Sequence, residues 1–325
     1  MKSAPQTPPI SSEATLQRQS WSAILPPLVL RWGRICLRLA RTILRIATRR
    51  RCLGYDLILK SVRGARGLEI GGPSLVFCRH LGTIPVYGIA ARVDACDFAE
   101  KTLWNPRLRT RLIRRTNSLS SRMVAEGSIL PVKSEVYDFL LASHVLEHSA
   151  NPLRAIMEWK RVLRPDGIMV LLLPHKAATF DHRRPYTDFA HLEEDFSKDT
   201  GETDLSHLDD VLNLHDLSLD VAAGSWTQFK ERALRNAETR CLHHHVFSPE
   251  LLIDICTWAG MKLLSVSVER PEHIIIVAAR SANEATEAAN RCFLKPEAQW
   301  RIRDHFRRSS RGASGEHSRL NASST

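Results

Sequence analysis

The feature that most constrains this chain is an alternation. Short apolar runs recur between residues 66 and 174, and helix-like or turn-rich stretches separate them. "RGLEI" (66–70), "PVYGIAARVDA" (85–95), "YDFLLASHV" (137–145) and "GIMVLLLP" (167–174) read as strands. Between the last two, Leu153, Ile156, Met157 and Val162–Leu163 make a helical stripe and Asp166-Gly167 a turn. Apolar strands joined by helices imply an α/β fold, a parallel sheet covered on both faces. Near the end, "KLLSVSVERPEHIIIVAAR" gives two strands joined through Pro271-Glu272, hence an antiparallel hairpin at a sheet edge. Residues 175–245 break the alternation. They are dense in His and Asp, poor in periodic apolar stripe, and read as an inserted lid or helical cap. The expected organisation is a disordered preface (1–25), a basic amphipathic helix (26–54), one α/β domain (55–280) and a largely disordered polar tail (281–325) with room for one helix.

With 325 residues and 43% apolar content, the chain is long enough for a sizeable core. A formal charge of +11 suggests nucleic acid until its distribution is read. Lys and Arg outnumber Asp and Glu 10 to 1 over residues 1–55, but stand at 28 to 29 over 56–280 and 8 to 5 over 281–325. The central domain is close to neutral, so no specific nucleic-acid binding is expected of it. The excess lies on "LVLRWGRICLRLARTILRIATRRR", where Arg31, Arg34, Arg38, Arg41, Arg45 and Arg49 fall along one side of a helix. That face suits peripheral contact with an anionic membrane or an acidic partner, a solvated surface on a docked helix, or an organelle transit peptide. The run Gln19–Leu30 is too short to span a bilayer and has no cleavage site after it. Seven scattered cysteines without Cys-x-x-Cys spacing fit reduced thiols, which points to a cytoplasmic protein.

The loop "EIGGPS" (69–74) follows the first strand, at the sheet edge where ligands of open α/β sheets bind. Its glycines let backbone approach a ligand, and the helix expected after it would offer free N–H groups. It is not a dinucleotide fingerprint, because Pro73 and Val76 stand at the second and third glycine positions, and no Gly-Lys-Ser/Thr makes it a Walker loop. Asp94, 25 positions after Glu69, reads as the end of the second strand, where a carboxylate accepts both hydroxyls of a ribose. Glu126, in "VAEGSILP", reads as the end of the next strand, where an acceptor takes the amino group of an adenine. Any one acid has a bland explanation as a cap; three at successive strand ends are more specific.

In order, "LEIGGPS", "VDACDFA", "AEGSILP" and "YDFLLASHVLEHSANPLRAIMEWKRVLRPDGIMVLLLPHK" resemble the motif series of class I S-adenosylmethionine-dependent methyltransferases, and the last block resembles the type 11 methyltransferase domain. The resemblance is close over about residues 60–176 and looser to about 280. It implies a Rossmann-like seven-stranded sheet with an antiparallel last strand, here carrying the His/Asp-rich cap and the basic N-terminal helix. It also implies S-adenosyl-L-methionine as cofactor. Carried over by position, Glu69, Gly71 and Gly72 would face the methionine part, Asp94 the ribose, and Glu126 with Gly127 the adenine. Ser143 and His144 would line cofactor and acceptor. Pro73 in place of a loop glycine, Glu126 in place of the commoner Asp, and Asp166 in place of Gly mark a variant of the pattern.

Methyl transfer asks an enzyme to position the acceptor and, for a hydroxyl, to remove its proton. His148 and His175 are the candidate general bases, since histidine titrates near neutrality. Arg183 and Arg184 could hold a phosphate or carboxylate of the acceptor. The expected acceptor is a small molecule or glycan-like oxygen nucleophile. The alternative is a methyltransferase-like module without catalysis, bound to a membrane or acidic partner through its basic helix. No metal site is expected, because His-x-x-x-His with an acid partner is absent and His243–His245 on a strand would point alternate ways. Oligomeric state is not legible in the sequence.

Overall fold

The structure, a computed structural model, describes residues 51–78, 82–102, 119–269, 272–281 and 283–304. The preface, residues 26–50 of the basic stretch and the tail beyond 304 lie outside the described residues.

Seven strands form one sheet: β1 (Arg66–Ile70), β2 (Arg92–Asp97), β3 (Leu119–Val124), β4 (Tyr137–Ser143), β5 (Leu163–Pro174), β6 (Lys262–Glu269) and β7 (His273–Ala279). Their spatial order is β3-β2-β1-β4-β5-β7-β6. The first five pair in parallel, while β7 runs antiparallel to both β5 and β6. The expected edge hairpin is therefore present, with β6 outermost. The second strand begins later than its apolar run suggested, at Arg92, because residues 85–91 form turns packed under the sheet. The expected Asp166-Gly167 turn lies inside β5, where pairing slips between Tyr137↔Leu163 and Phe139↔Ile168.

Apolar residues on both faces of each strand give two layers of core. Leu140 and Ala142 of β4 face one layer with Trp159, while Phe139 and Leu141 face the other with Ile58, Val62 and Phe77. Helix α1 (Tyr55–Val62) covers the second layer through Ile58 and Val62. Helix α2 (Pro152–Val162) covers the first; Pro152 opens it, and the Asn151 side chain accepts from Arg154 N at 3.0 Å. Its buried stripe is Leu153, Ile156, Trp159 and Val162, each aliphatic side chain stabilising by about 1.5–3 kcal/mol. Met157, expected in that stripe, is 42% exposed; Trp159 takes the inward position.

Between β5 and α7 (Pro249–Trp258) lie α3 (Phe189–Ser197), α4 (Leu208–Leu214), α5 (Trp226–Leu234) and the single turn α6 (Asn236–Thr239). These helices have a small core of their own, Val211, Ala223, Phe229, Ala233 and Leu242. Residues 240–248 are irregular, so His243–His245 do not sit on a strand. The expected polar tail also needs correction over its first part. Helices α8 (Thr286–Arg291) and α9 (Gln299–Arg303) pack on the sheet, with Trp300 buried and its Nε1 donating to Phe293 O at 2.7 Å. Among the described residues no helix is long and apolar enough to cross a membrane.

Candidate active site

A cavity of about 580 Å³ opens at the carboxyl ends of β1 to β4. Gly71 and Ser74 border it after β1, Asp97 and Phe98 at the end of β2, Glu126 and Gly127 after β3, and Ser143 with His144 at the end of β4. The cap closes the other side with Phe180, Arg240 and His243.

The loop after β1 owes its shape to its glycines. Gly71 has φ 70°, and a Cβ there would lie 2.5 Å from Val145 Cγ2. At Gly72 a Cβ would lie 2.3 Å from Glu69 Cδ. Glu69 is the reason: fully buried, it turns beneath the loop, accepting from Ser74 N at 2.9 Å and from the Tyr87 hydroxyl. Burial and this carboxylate push the Tyr87 phenol well above its usual range. Glu69 thus holds the loop from below and does not face the cavity, which corrects its expected contact with the methionine part; Gly72 is likewise spent on admitting Glu69, and Gly71 alone of the three borders the cavity. A single 3-10 turn, Leu75–Phe77, follows the loop in place of the expected helix.

Asp94 is also displaced from its expected role. It sits in the middle of β2, paired in register with Leu68, and is 1% exposed. Its carboxylate accepts from Ser121 Oγ at 2.6 Å, Arg92 Nε at 3.0 Å, Arg66 at 3.1 Å and the Tyr137 hydroxyl at 3.2 Å. Burial alone would raise its pKa, but Ser121 and the two guanidiniums bring it down to about 2. The strand-end acid is Asp97, which borders the cavity and was missed in the sequence. Asp97 Oδ1 accepts from Phe98 N at 3.0 Å and Oδ2 from Arg122 at 3.2 Å. Its signal was present in "VDACD": β1 ends at Ile70 opposite Cys96, so an acid at that level must be the second one.

Glu126 and Gly127 border the cavity as expected by position. Arg240 donates to Glu126 Oε1 at 2.6 Å and tethers the cap to this wall, while Trp159 Nε1 donates to Gly127 O at 2.8 Å. After β4, His144 takes φ 55° and its Nε2 lies 3.0 Å from His273 Nδ1.

The two candidate bases part company. His148 borders the cavity; its Nδ1 donates to Leu242 O at 2.9 Å, which assigns the basic lone pair to Nε2. Burial and neighbouring His243 push its pKa well below the usual range. His175 is buried away from the cavity, with Nδ1 accepting from Ala177 N at 3.3 Å to cap the short turn Lys176–Ala178. Of two groups beside His148, Glu147 went unnamed in the sequence and His243 was read only as part of the histidine triplet. Glu147 is fully buried with both carboxyl oxygens lacking a hydrogen-bond partner among the described residues, and burial pushes its pKa up to about 7. His243 pairs through Nδ1 with Asp181, which Arg184 also binds at 3.1 Å. Arg184 reaches the carbonyls of His243 and His244 as well, and is buried in that network and so does not face an acceptor. These contacts come from segments 60 residues apart in sequence, which no local pattern reveals.

A seven-stranded sheet with five parallel strands, an antiparallel last hairpin and a cavity over its central carboxyl ends defines the Rossmann-like methyltransferase fold. Residues 68–171 match the family model of the methyltransferase domain, so that stretch of the chain is similar to that family. A 49-residue stretch, 15% of the chain, is 43% identical to an uncharacterized protein of Methanocaldococcus jannaschii and spans 24% of that relative. Among solved structures, the chain is similar to a SAM-dependent methyltransferase from Aquifex aeolicus (13% identity, 69% of this chain and 88% of that one, TM-score 0.40). It is also similar to one from Mesorhizobium loti (16% identity, 70% and 95%, TM-score 0.42).

Proposed function

We propose that the chain transfers a methyl group from S-adenosyl-L-methionine to an oxygen of a small-molecule or glycan-like acceptor. The observation that carries this reading is convergence: Gly71, Asp97 and Glu126, each at or just past the end of a different strand, border one cavity whose far wall holds His148 and His243. The donor set suits the cofactor. Backbone at Gly71 lies open to close approach, Asp97 offers two acceptor oxygens for vicinal hydroxyls, and Glu126 with Gly127 frames the position of a purine.

When bound, the cofactor supplies an electrophilic methyl group on sulfonium sulfur. Residues of the chain then do the positioning. Asp97 and the Gly71 loop fix one end of the cavity, and Arg240 closes the cap over Glu126. At the other end His148 Nε2 receives the proton of an acceptor hydroxyl, with Nδ1 anchored on Leu242 O. The cap walls this end from water through Phe180 and the Asp181–His243 pair.

Calorimetric titration of folded protein with S-adenosylhomocysteine tests the cofactor, with micromolar-range binding expected. Absence of heat from folded protein would sink the proposal. The acceptor class is tested by incubating the protein with labelled S-adenosylmethionine and a panel of sugars, hydroxy acids and amines; transfer confined to amines would overturn the oxygen reading.

A further inference from the structure

Among residues that do not border the first cavity, three histidines and one aspartate converge. His191 and Asp195 stand one turn apart on α3, His207 precedes α4, and His245 lies in the irregular strap before α7. His191 Nε2 is 3.1 Å from His207 Nε2 and 3.3 Å from Asp195 Oδ2, and His245 Nε2 is 3.6 Å from the same oxygen. All four ligand atoms lie within 4.8 Å of one another. Nitrogen and oxygen ligands at about 2.0–2.1 Å from a tetrahedral zinc ion are spaced by ~3.3 Å, and the three distances from 3.1 to 3.6 Å lie close to that spacing.

The burial points the same way. Asp195 is 7% exposed, and its Oδ2 has no hydrogen-bond partner among the described residues, although it faces the imidazoles. Its other oxygen accepts from Thr200 Oγ1 at 3.0 Å, as an outer partner that aims Oδ2 inward. His245 is 1% exposed. A second cavity of about 340 Å³, bordered by His191 and His207, gives an entry path.

We propose that His191, Asp195, His207 and His245 bind a divalent transition metal, zinc by their donor set. Three imidazoles and a carboxylate are the borderline donors zinc favours over magnesium or calcium. Four protein ligands complete a tetrahedron, so the ion is structural: it staples α3, the loop before α4 and the strap carrying Arg240 and His243 into one wall. His207 also meets Asp204 and His244, but that trio supplies one ligand fewer.

The test uses full-length protein produced with zinc in the medium and desalted. Near-stoichiometric zinc by mass spectrometry is expected, and cobalt exchange should give the intense visible bands of tetrahedral cobalt. The double variant His191→Ala/His207→Ala should lose zinc by at least about tenfold, and Thr200→Val should weaken retention against a chelator by about tenfold. His182→Ala, at an exposed pair with Asp216, should retain the full content. Trace zinc in the wild-type protein together with no tetrahedral cobalt spectrum overturns the site, as does full zinc in a folded double variant. The wild-type spectrum decides the matter even if the variants do not fold.

Discussion

The sheet and the cap bury polar groups by opposite means. In the sheet, buried acids sit on strands and are satisfied from their own and neighbouring strands and from the adjoining loops: Asp94 by Ser121, Arg66 and Arg92, and Glu69 by the loop that follows it and Tyr87. In the cap, Asp181, Arg184, Asp195 and five histidines are joined across long stretches of chain, around a core of only a few apolar side chains. The first arrangement leaves strand ends open to a ligand. The second leaves the cap dependent on side-chain contacts, and on a metal if the proposed site is filled, for its shape.

The sharpest test of this difference places one substitution in both regions. Phe139→Ala in β4 should cost about 4–5 kcal/mol, because the fully buried ring fills the core layer beneath α1, over Gly67 of β1, and the sheet cannot collapse onto the void. Phe229→Ala in the cap core should cost about 3 kcal/mol and should open the cap without opening the sheet. Native-state hydrogen exchange reads both; if Phe229→Ala lowered protection of the sheet amides as much as Phe139→Ala, the two regions would be one cooperative unit and the contrast would fail.

Two acids three residues apart on β2 divide the next effects between function and stability. Asp97→Asn should weaken S-adenosylhomocysteine binding by roughly tenfold or more, by loss of a charge-assisted acceptor, with little change in Tm. Calorimetry checks this, and unchanged affinity would remove Asp97 from the site. Asp94→Asn should do the reverse, leaving affinity unaltered while costing about 2 kcal/mol of stability at neutral pH. The folded-state pKa of Asp94, about 2, is depressed below the ordinary 3.8. Its contribution is therefore fully present above about pH 4 and lost as pH falls through about 2. Denaturation of wild type and Asp94→Asn should converge in that window, and a constant gap would refute the assignment.

Much of the sheet was legible in the sequence, because a buried parallel strand must be apolar on both faces and a two-strand hairpin needs a turn. "RGLEI" and "YDFLLASHV" fall on β1 and β4, and Asn151-Pro152 opens α2 where cap chemistry places it. Strand ends were less legible. Asp94 was preferred to Asp97 because the apolar run begins too early, and only pairing with β1 shows how far β2 extends. His175 looked well placed just past β5, but which way a side chain turns there is settled by its neighbours, and Ala177 N captures it.

By itself the sequence determined the layered α/β architecture, the glycine loop, the acids near successive strand ends and the segregation of basic charge, all set by local periodicity and composition. Tertiary structure alone decided which acid faces the cavity, that Glu69 supports its loop from beneath, and that His207 and His245 meet His191 around Asp195. Those outcomes depend on pairing register and on contacts between residues far apart in the chain, and neither leaves a period in the sequence.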